Sequence, residues 1–133
     1  MPNSKHVVML IEDDPEEVVL FEEVLGQISS RYLLQNAPNG IEGIKQLEKA
    51  ILDTNIPSLI VLDINMPLMN GREVALKLQD MKELSKVPVA VFTTSDSPAD
   101  QDYFKNMEIP YFNKPLTIHE YYKKVREMLA LCE

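Results

Sequence analysis

Short apolar runs alternate with longer amphipathic stretches along this chain, and that alternation constrains the fold more than any other feature. The first run, Val7-Val8-Met9-Leu10-Ile11, has no polar interruption and stops abruptly at Glu12-Asp13-Asp14. Such a run suits a strand covered on both faces. Tyr32 to Gln35, Ser58 to Leu62, Val87 to Phe92 and Tyr111-Phe112 are the four later strand candidates. Pro88 falls near the start of its run, where a missing donor is tolerated.

Helical spacing fills the gaps. Asp14, Pro15 and Glu17 predict a helix start with a D-x-x-E capping box. Val18, Phe21, Val24, Leu25 and Ile28 then recur on one face, with Gly26 as a mild weakness. Pro38-Asn39-Gly40 predicts a loop. Ile41, Ile44, Leu47, Ile51 and Leu52 trace the second helix; Val74, Leu76, Leu78 and Met81 the third. A polar fourth helix is expected over 99–107 and a fifth over 118–131. Strands alternating with helices five times predict an α/β fold: a doubly wound (βα)5 sandwich around a parallel five-stranded sheet. No linker or repeat divides residues 1–133, so one domain is expected, with no second domain after the fifth helix.

Composition narrows the function. Apolar residues are 45% and charged residues 26%, which excludes general disorder. Thirteen basic residues against 21 acidic ones give a net charge of −8, which argues against direct binding to nucleic acid. No apolar run approaches the roughly 18 residues of a membrane span. The start, Met1 to His6, has no apolar signal segment. The lone Cys132 cannot form an internal disulfide and has no helper residue for catalysis. These points favour the cytoplasm and no membrane partner.

In a parallel sheet of this kind, ligands sit beyond the carboxyl ends of the strands. There the sequence places Glu12 and Asp13 after the first strand, Asp63 after the third, Thr93 and Thr94 after the fourth, and Lys114 after the fifth. Clustered carboxylates repel unless a cation sits among them. Only oxygen ligands are on offer, which favours Mg²⁺ completed by water and phosphate oxygens. Such a site suits phosphoryl transfer to Asp63 as nucleophile, with Lys114 pairing a phosphoryl oxygen and Thr93 donating to another. Taken singly, each feature is ordinary: an acidic helix entry, a Thr with β propensity, a Lys-Pro pair.

Together the segments Ile11-Glu12-Asp13-Asp14, Leu62-Asp63-Ile64-Asn65-Met66-Pro67 with Asn70-Gly71, Phe92-Thr93-Thr94 and Tyr111-Phe112-Asn113-Lys114-Pro115 resemble the receiver domain of bacterial two-component response regulators, of the stand-alone type. The resemblance implies the flavodoxin-like strand order 2-1-3-4-5. It implies that a histidine kinase or phosphotransfer protein phosphorylates Asp63. It implies that Asp13, Asp63 and the backbone carbonyl of Asn65 hold Mg²⁺, with Glu12 acting through water. Thr93 and Tyr111 become switch residues that re-present the surface of the fourth helix, fifth strand and fifth helix to an unidentified downstream protein. A phosphorylation-dependent homodimer is compatible with this. The Lys114–Pro115 bond is often cis in such domains. Two departures stand out: Thr94 where a smaller residue is common, and no glycine between Met107 and Pro110.

Other readings compete. A phosphohydrolase of the haloacid-dehalogenase type needs a second Asp where Asn65 stands. A flavin carrier of the same fold lacks support: no Trp is available to stack on a flavin, and the first loop is acidic where phosphate needs glycine and hydroxyls. The alternative kept is a degenerate receiver, a docking module independent of phosphorylation, although Asp63 and Lys114 are both present. A switch of this kind is not an enzyme with an external turnover substrate.

Overall fold

A computed structural model describes residues 6–133; Met1 to Lys5, read above as lacking a signal segment, lie outside the described residues. Five strands, β1 (His6–Ile11), β2 (Tyr32–Ala37), β3 (Leu59–Leu62), β4 (Val89–Thr93) and β5 (Tyr111–Asn113), form one sheet in the order β2-β1-β3-β4-β5. All four pairings are parallel. The helices are α1 (Pro15–Ile28), α2 (Gly40–Leu52), α3 (Gly71–Gln79), α4 (Pro98–Asn106) and α5 (Ile118–Ala130). A single 3₁₀ turn at Lys82–Leu84 leads into β4.

Alternation along the central strands divides the core. Val8 and Leu10 of β1 face Phe21, Val24 and Leu25 of α1 and Val125, Met128 and Leu129 of α5. Met9 and Ile11 face the other way, with Leu47 of α2, Val74 and Leu78 of α3 and Phe104 of α4. Two helices therefore cover one face and three the other. Both faces being covered explains why β1 and β3 read as unbroken apolar runs. Among the described residues every buried side-chain nitrogen or oxygen has a hydrogen-bond partner.

Local structure departs from expectation at two points, and one further feature explains a missing glycine. Asp14 caps α1 by accepting from the Glu16 N–H at 3.0 Å, but Glu17 does not complete a capping box. Its carboxylate is drawn inward by stronger partners, described below. The reciprocal box sits instead on α3, between Asn70 and Glu73. On α3, Ala75 rather than Leu76 packs inward, and Leu76 is exposed; Met81 falls after the helix. Finally, Glu108 takes φ 60°, the left-handed conformation that the missing glycine before β5 would supply. Its side chain is exposed, so the local backbone cost of about 1 kcal/mol is tolerated without a clash.

Candidate functional site

Every strand that carries a candidate residue ends at the same edge of the sheet. Asp63 follows β3 directly, and its backbone N–H donates to Ile11 O at 3.1 Å, which fixes it beside the end of β1. Asp63 Oδ1 accepts from the Ile64 N–H at 2.8 Å. The loop beyond closes back on itself through Gly71 N–H donating to Ile64 O at 2.9 Å. At Gly71 an added Cβ would lie 2.5 Å from Asp63 O and 2.7 Å from Ile64 Cα, so helix α3 starts in contact with the Asp63 backbone. Met66 is buried and Met69 half-buried in this loop, while Asn65 and Leu68 are exposed. Leu68 has φ 69°.

Glu12 and Asp13 leave β1 on the same side. Glu12 is only 2% exposed, whereas Asp13 faces solvent. Oxygens of Glu12, Asp13 and Asp63 all lie within 4.8 Å of one another. Asn36, on β2, steadies this edge: its amide donates to Leu10 O at 2.9 Å and Glu12 O at 3.2 Å. Nothing in the sequence around Asn36 distinguishes it from an ordinary edge-strand polar residue.

Lys114 brings the counter-charge. Its N–H donates to Thr93 O at 2.7 Å, which sets the chain direction after β5. Its Nζ donates to Glu12 Oε1 at 2.6 Å and stands 3.7 Å from Asp63 Oδ2 and 3.8 Å from Glu17 Oε1. Among the described residues no peptide bond is cis, so Lys114–Pro115 is trans, contrary to what the resemblance implies. The ion pair with Glu12 and the bond to β4 aim the ammonium inward without it. Burial works against the Lys114 charge, but the Glu12 hydrogen bond and the charges of Asp63, Glu12 and Glu17 outweigh burial and raise its pKa. Lys114 therefore stays an ammonium.

Glu12 behaves differently. Burial pushes its carboxyl up to about 7; the Lys114 hydrogen bond opposes that and the Asp63 charge adds to it. A protonated Glu12 cannot supply the negative charge that favours a cation in this cluster, even where it meets the ion through water. Mg²⁺ affinity should therefore rise between about pH 6 and about pH 8, approaching tenfold per pH unit below neutrality as one proton is displaced. Calorimetry in buffers of different ionisation enthalpy reads this directly. About one proton per metal is expected at the acid end and almost none at the alkaline end; equal values would contradict it.

Thr93 ends β4 fully buried. Its hydroxyl oxygen accepts from the Ser95 N–H at 3.2 Å, leaving the hydroxyl proton available. Thr94 is exposed. Tyr111 is half-buried, with its hydroxyl donating to Ser95 O at 2.7 Å, and Asn113 Nδ2 donates to the same oxygen at 2.8 Å. Thr93 and Tyr111 are thus joined through one residue of the β4–α4 loop. Ser95 Oγ also donates to Asp100 Oδ2 at 2.7 Å, and Arg72 donates to Asp100 Oδ1 at 2.9 and 2.6 Å from α3. Burial works against the Asp100 charge, but Ser95 and Arg72 prevail and hold its carboxyl below the usual range. The Arg72 guanidinium lies 4.8 Å from the centre of the Tyr103 ring. None of Ser95, Asp100 and Arg72 carries a local signal that would link them in sequence.

Cys132, by contrast, is half-buried near the opposite edge, and its thiol donates to Leu129 O at 3.2 Å. Burial raises its pKa, which makes it a weak nucleophile.

A doubly wound five-stranded sheet with three carboxylates, a lysine and a buried threonine at the carboxyl edge defines a class, and comparison with known proteins agrees. The family model described as the response regulator receiver domain matches residues 8–126. The chain belongs to the receiver-domain family. It is 29% identical over 129 residues to the response regulator Rcp1 of Synechocystis, covering 93% of this chain and 86% of that protein. A structure described as the Mn²⁺-bound form of Rcp1 superposes with a TM-score of 0.82 at 27% identity, covering 94% of this chain and 92% of that one. The phosphorylated cyanobacterial phytochrome response regulator RcpA superposes with a TM-score of 0.86 at 23% identity, over 97% and 94% of the two chains, and shares the fold. The chain is also 29% identical over 130 residues to hybrid signal transduction histidine kinase D of Dictyostelium discoideum, covering 97% of this chain but 8% of that protein. Receiver domains are signalling switches phosphorylated by histidine kinases, and they interact with those kinases and with phosphotransfer proteins. They bind Mg²⁺ at an acidic pocket, and the Glu12, Asp13 and Asp63 cluster, with oxygen donors alone, fits such an ion. No helix among the described residues is long and apolar enough to cross a membrane.

Proposed function

We propose that the chain is a phosphorylation-dependent switch with Asp63 as the phosphoacceptor. A carboxylate oxygen of Asp63 attacks phosphorus, a P–O bond forms, and the P–N bond of a donor phosphohistidine breaks with its electron pair returning to the imidazole. The single observation that carries this reading is the position of Lys114, 3.7 Å from Asp63 Oδ2 and buried beside it. That ammonium is placed to take a phosphoryl oxygen, and the Thr93 hydroxyl is placed to donate to another. Mg²⁺ held by Asp13, Asp63 and the Asn65 backbone carbonyl, with Glu12 through water, would neutralise charge on the phosphoryl oxygens.

The output follows from the loop geometry. Movement of Thr93 toward a phosphoryl group perturbs its bond to the Ser95 N–H, and Ser95 also holds the Tyr111 hydroxyl and Asp100. The exposed surface of α4, β5 and α5 then changes for a downstream protein or for a second copy of the chain. Phosphorylation shifts the balance between two conformations rather than creating a new one. The site would work in the cytoplasm without nucleic acid or membrane.

Intact-mass analysis tests this after incubation with acetyl phosphate. Addition of one phosphoryl group is expected with Mg²⁺, and none with EDTA or in Asp63→Asn. Absence of an adduct, together with no binding of beryllofluoride, would leave a docking module that works without phosphorylation.

A further inference from the structure

Glu17 is the one carboxylate near Lys114 that the proposed phosphoryl chemistry does not use. It lies in the first turn of α1, 17% exposed in its side chain, and makes no capping hydrogen bond. Its two oxygens point to different partners. Oε2 accepts from the Tyr121 hydroxyl at 2.5 Å, and Oε1 stands 3.8 Å from Lys114 Nζ. Tyr121 cannot easily follow a moving carboxylate. It is 3% exposed on α5, and its ring is held edge-on by Phe92 at 5.2 Å and Phe21 at 6.5 Å. Three carboxylates thus contend for one ammonium: Glu12, Asp63 and Glu17.

We propose, on the reading of Asp63 as phosphoacceptor, that Glu17 is a positioning residue that restrains Lys114 from the phosphoryl group, and that the Tyr121 hydroxyl sets the strength of that restraint. The hydroxyl donates to Glu17 and so disperses part of its negative charge. What remains of that charge draws Lys114 toward α1. A group on Asp63 must win the ammonium from Glu17 as well as from Glu12. The same contact ties the site to α5, because Tyr121 feels any withdrawal of Lys114 from Glu17.

Two substitutions separate this from a packing role. Glu17→Gln removes the charge but keeps an acceptor for Tyr121. Tyr121→Phe keeps the ring and its edge contacts but leaves the Glu17 charge undispersed. Beryllofluoride, titrated against the full chain at saturating Mg²⁺ and followed by ¹⁹F NMR, is the probe. Glu17→Gln should tighten binding by roughly three- to tenfold, and Tyr121→Phe should weaken it by roughly two- to fivefold, as expected for one partly buried charge at about 4 Å. In the Glu17→Gln background, Tyr121→Phe should have almost no effect. In the wild-type chain the Tyr121 ¹³Cζ resonance should shift on beryllofluoride binding, and in Glu17→Gln that shift should shrink. Effects of the same sign in both variants, or no change in either, would overturn the role of Glu17 while leaving Asp63 in place. Failure of the wild-type chain to bind beryllofluoride would overturn the Asp63 reading and this inference with it.

Discussion

Lys114→Ala is expected to lower beryllofluoride affinity roughly 100-fold, since it removes the charge-assisted bond to the bound group. It should also destabilise the fold in a pH-dependent way. Lys114 is the ammonium paired with Glu12, which is 2% exposed and raised to about 7 by burial. A carboxyl whose folded pKa exceeds its unfolded value makes the fold lose stability as pH rises from the unfolded value of 4.5 through about 7. Lys114 opposes that rise, so deleting it pushes Glu12 higher still. Near pH 5 Glu12 is protonated with or without the lysine, and the loss should be small. Near pH 8 the fold must either bury an unpaired carboxylate or take up a proton, and the loss should reach about 3 kcal/mol. Urea unfolding at the two pH values checks this; equal losses would show that Glu12 and Lys114 are not the coupled pair described.

Gly71→Ala should be the most damaging change of a single small residue in the loop that carries Asp63. The added methyl would meet backbone atoms at 2.5 and 2.7 Å, and Asp63 O and Ile64 Cα cannot rotate aside as a side chain would. A cost of about 3 kcal/mol is expected, with slower phosphorylation because Asp63 itself must shift. Gly26→Ala supplies the opposite sign. Gly26 lies in α1 with nothing within 4 Å of an added Cβ, so alanine should stabilise the helix by about 0.5–1 kcal/mol. Urea midpoints read both. A stable Gly71→Ala variant with unchanged phosphorylation would mean that α3 and the Asp63 backbone are not in the contact described.

Much of the fold was legible because β1 and β3 are covered on both faces, and an uninterrupted apolar run records that. The order of the sheet came from resemblance rather than from any one run. Side-chain direction was harder to read. Leu76 and Ala75 both fit a helical pattern, and only the folded structure shows that Ala75 is inside, in the cluster that holds Ile60, Leu62 and Val91. The strand-end residues Glu12, Asp13, Asp63, Thr93 and Lys114 were legible since topology alone brings them to one edge. Their supports were not. Glu17 fitted a local capping pattern, which hid its long-range partners Tyr121 and Lys114. Asn36, Arg72 and Asp100 act across elements far apart in sequence, at spacings that carry no period. Glu108 in the left-handed region shows that an exposed side chain can stand where a glycine is expected.

The most direct measurement is to trap the acyl phosphate itself. Borohydride reduces an aspartyl phosphate to homoserine, so the phosphorylated chain can be reduced, digested and mapped by mass. Homoserine at position 63, formed only when Mg²⁺ accompanied the phosphodonor, is the expected result. Homoserine at Asp13 instead, or none at any position in a chain that has gained a phosphoryl group, would contradict Asp63 as the acceptor.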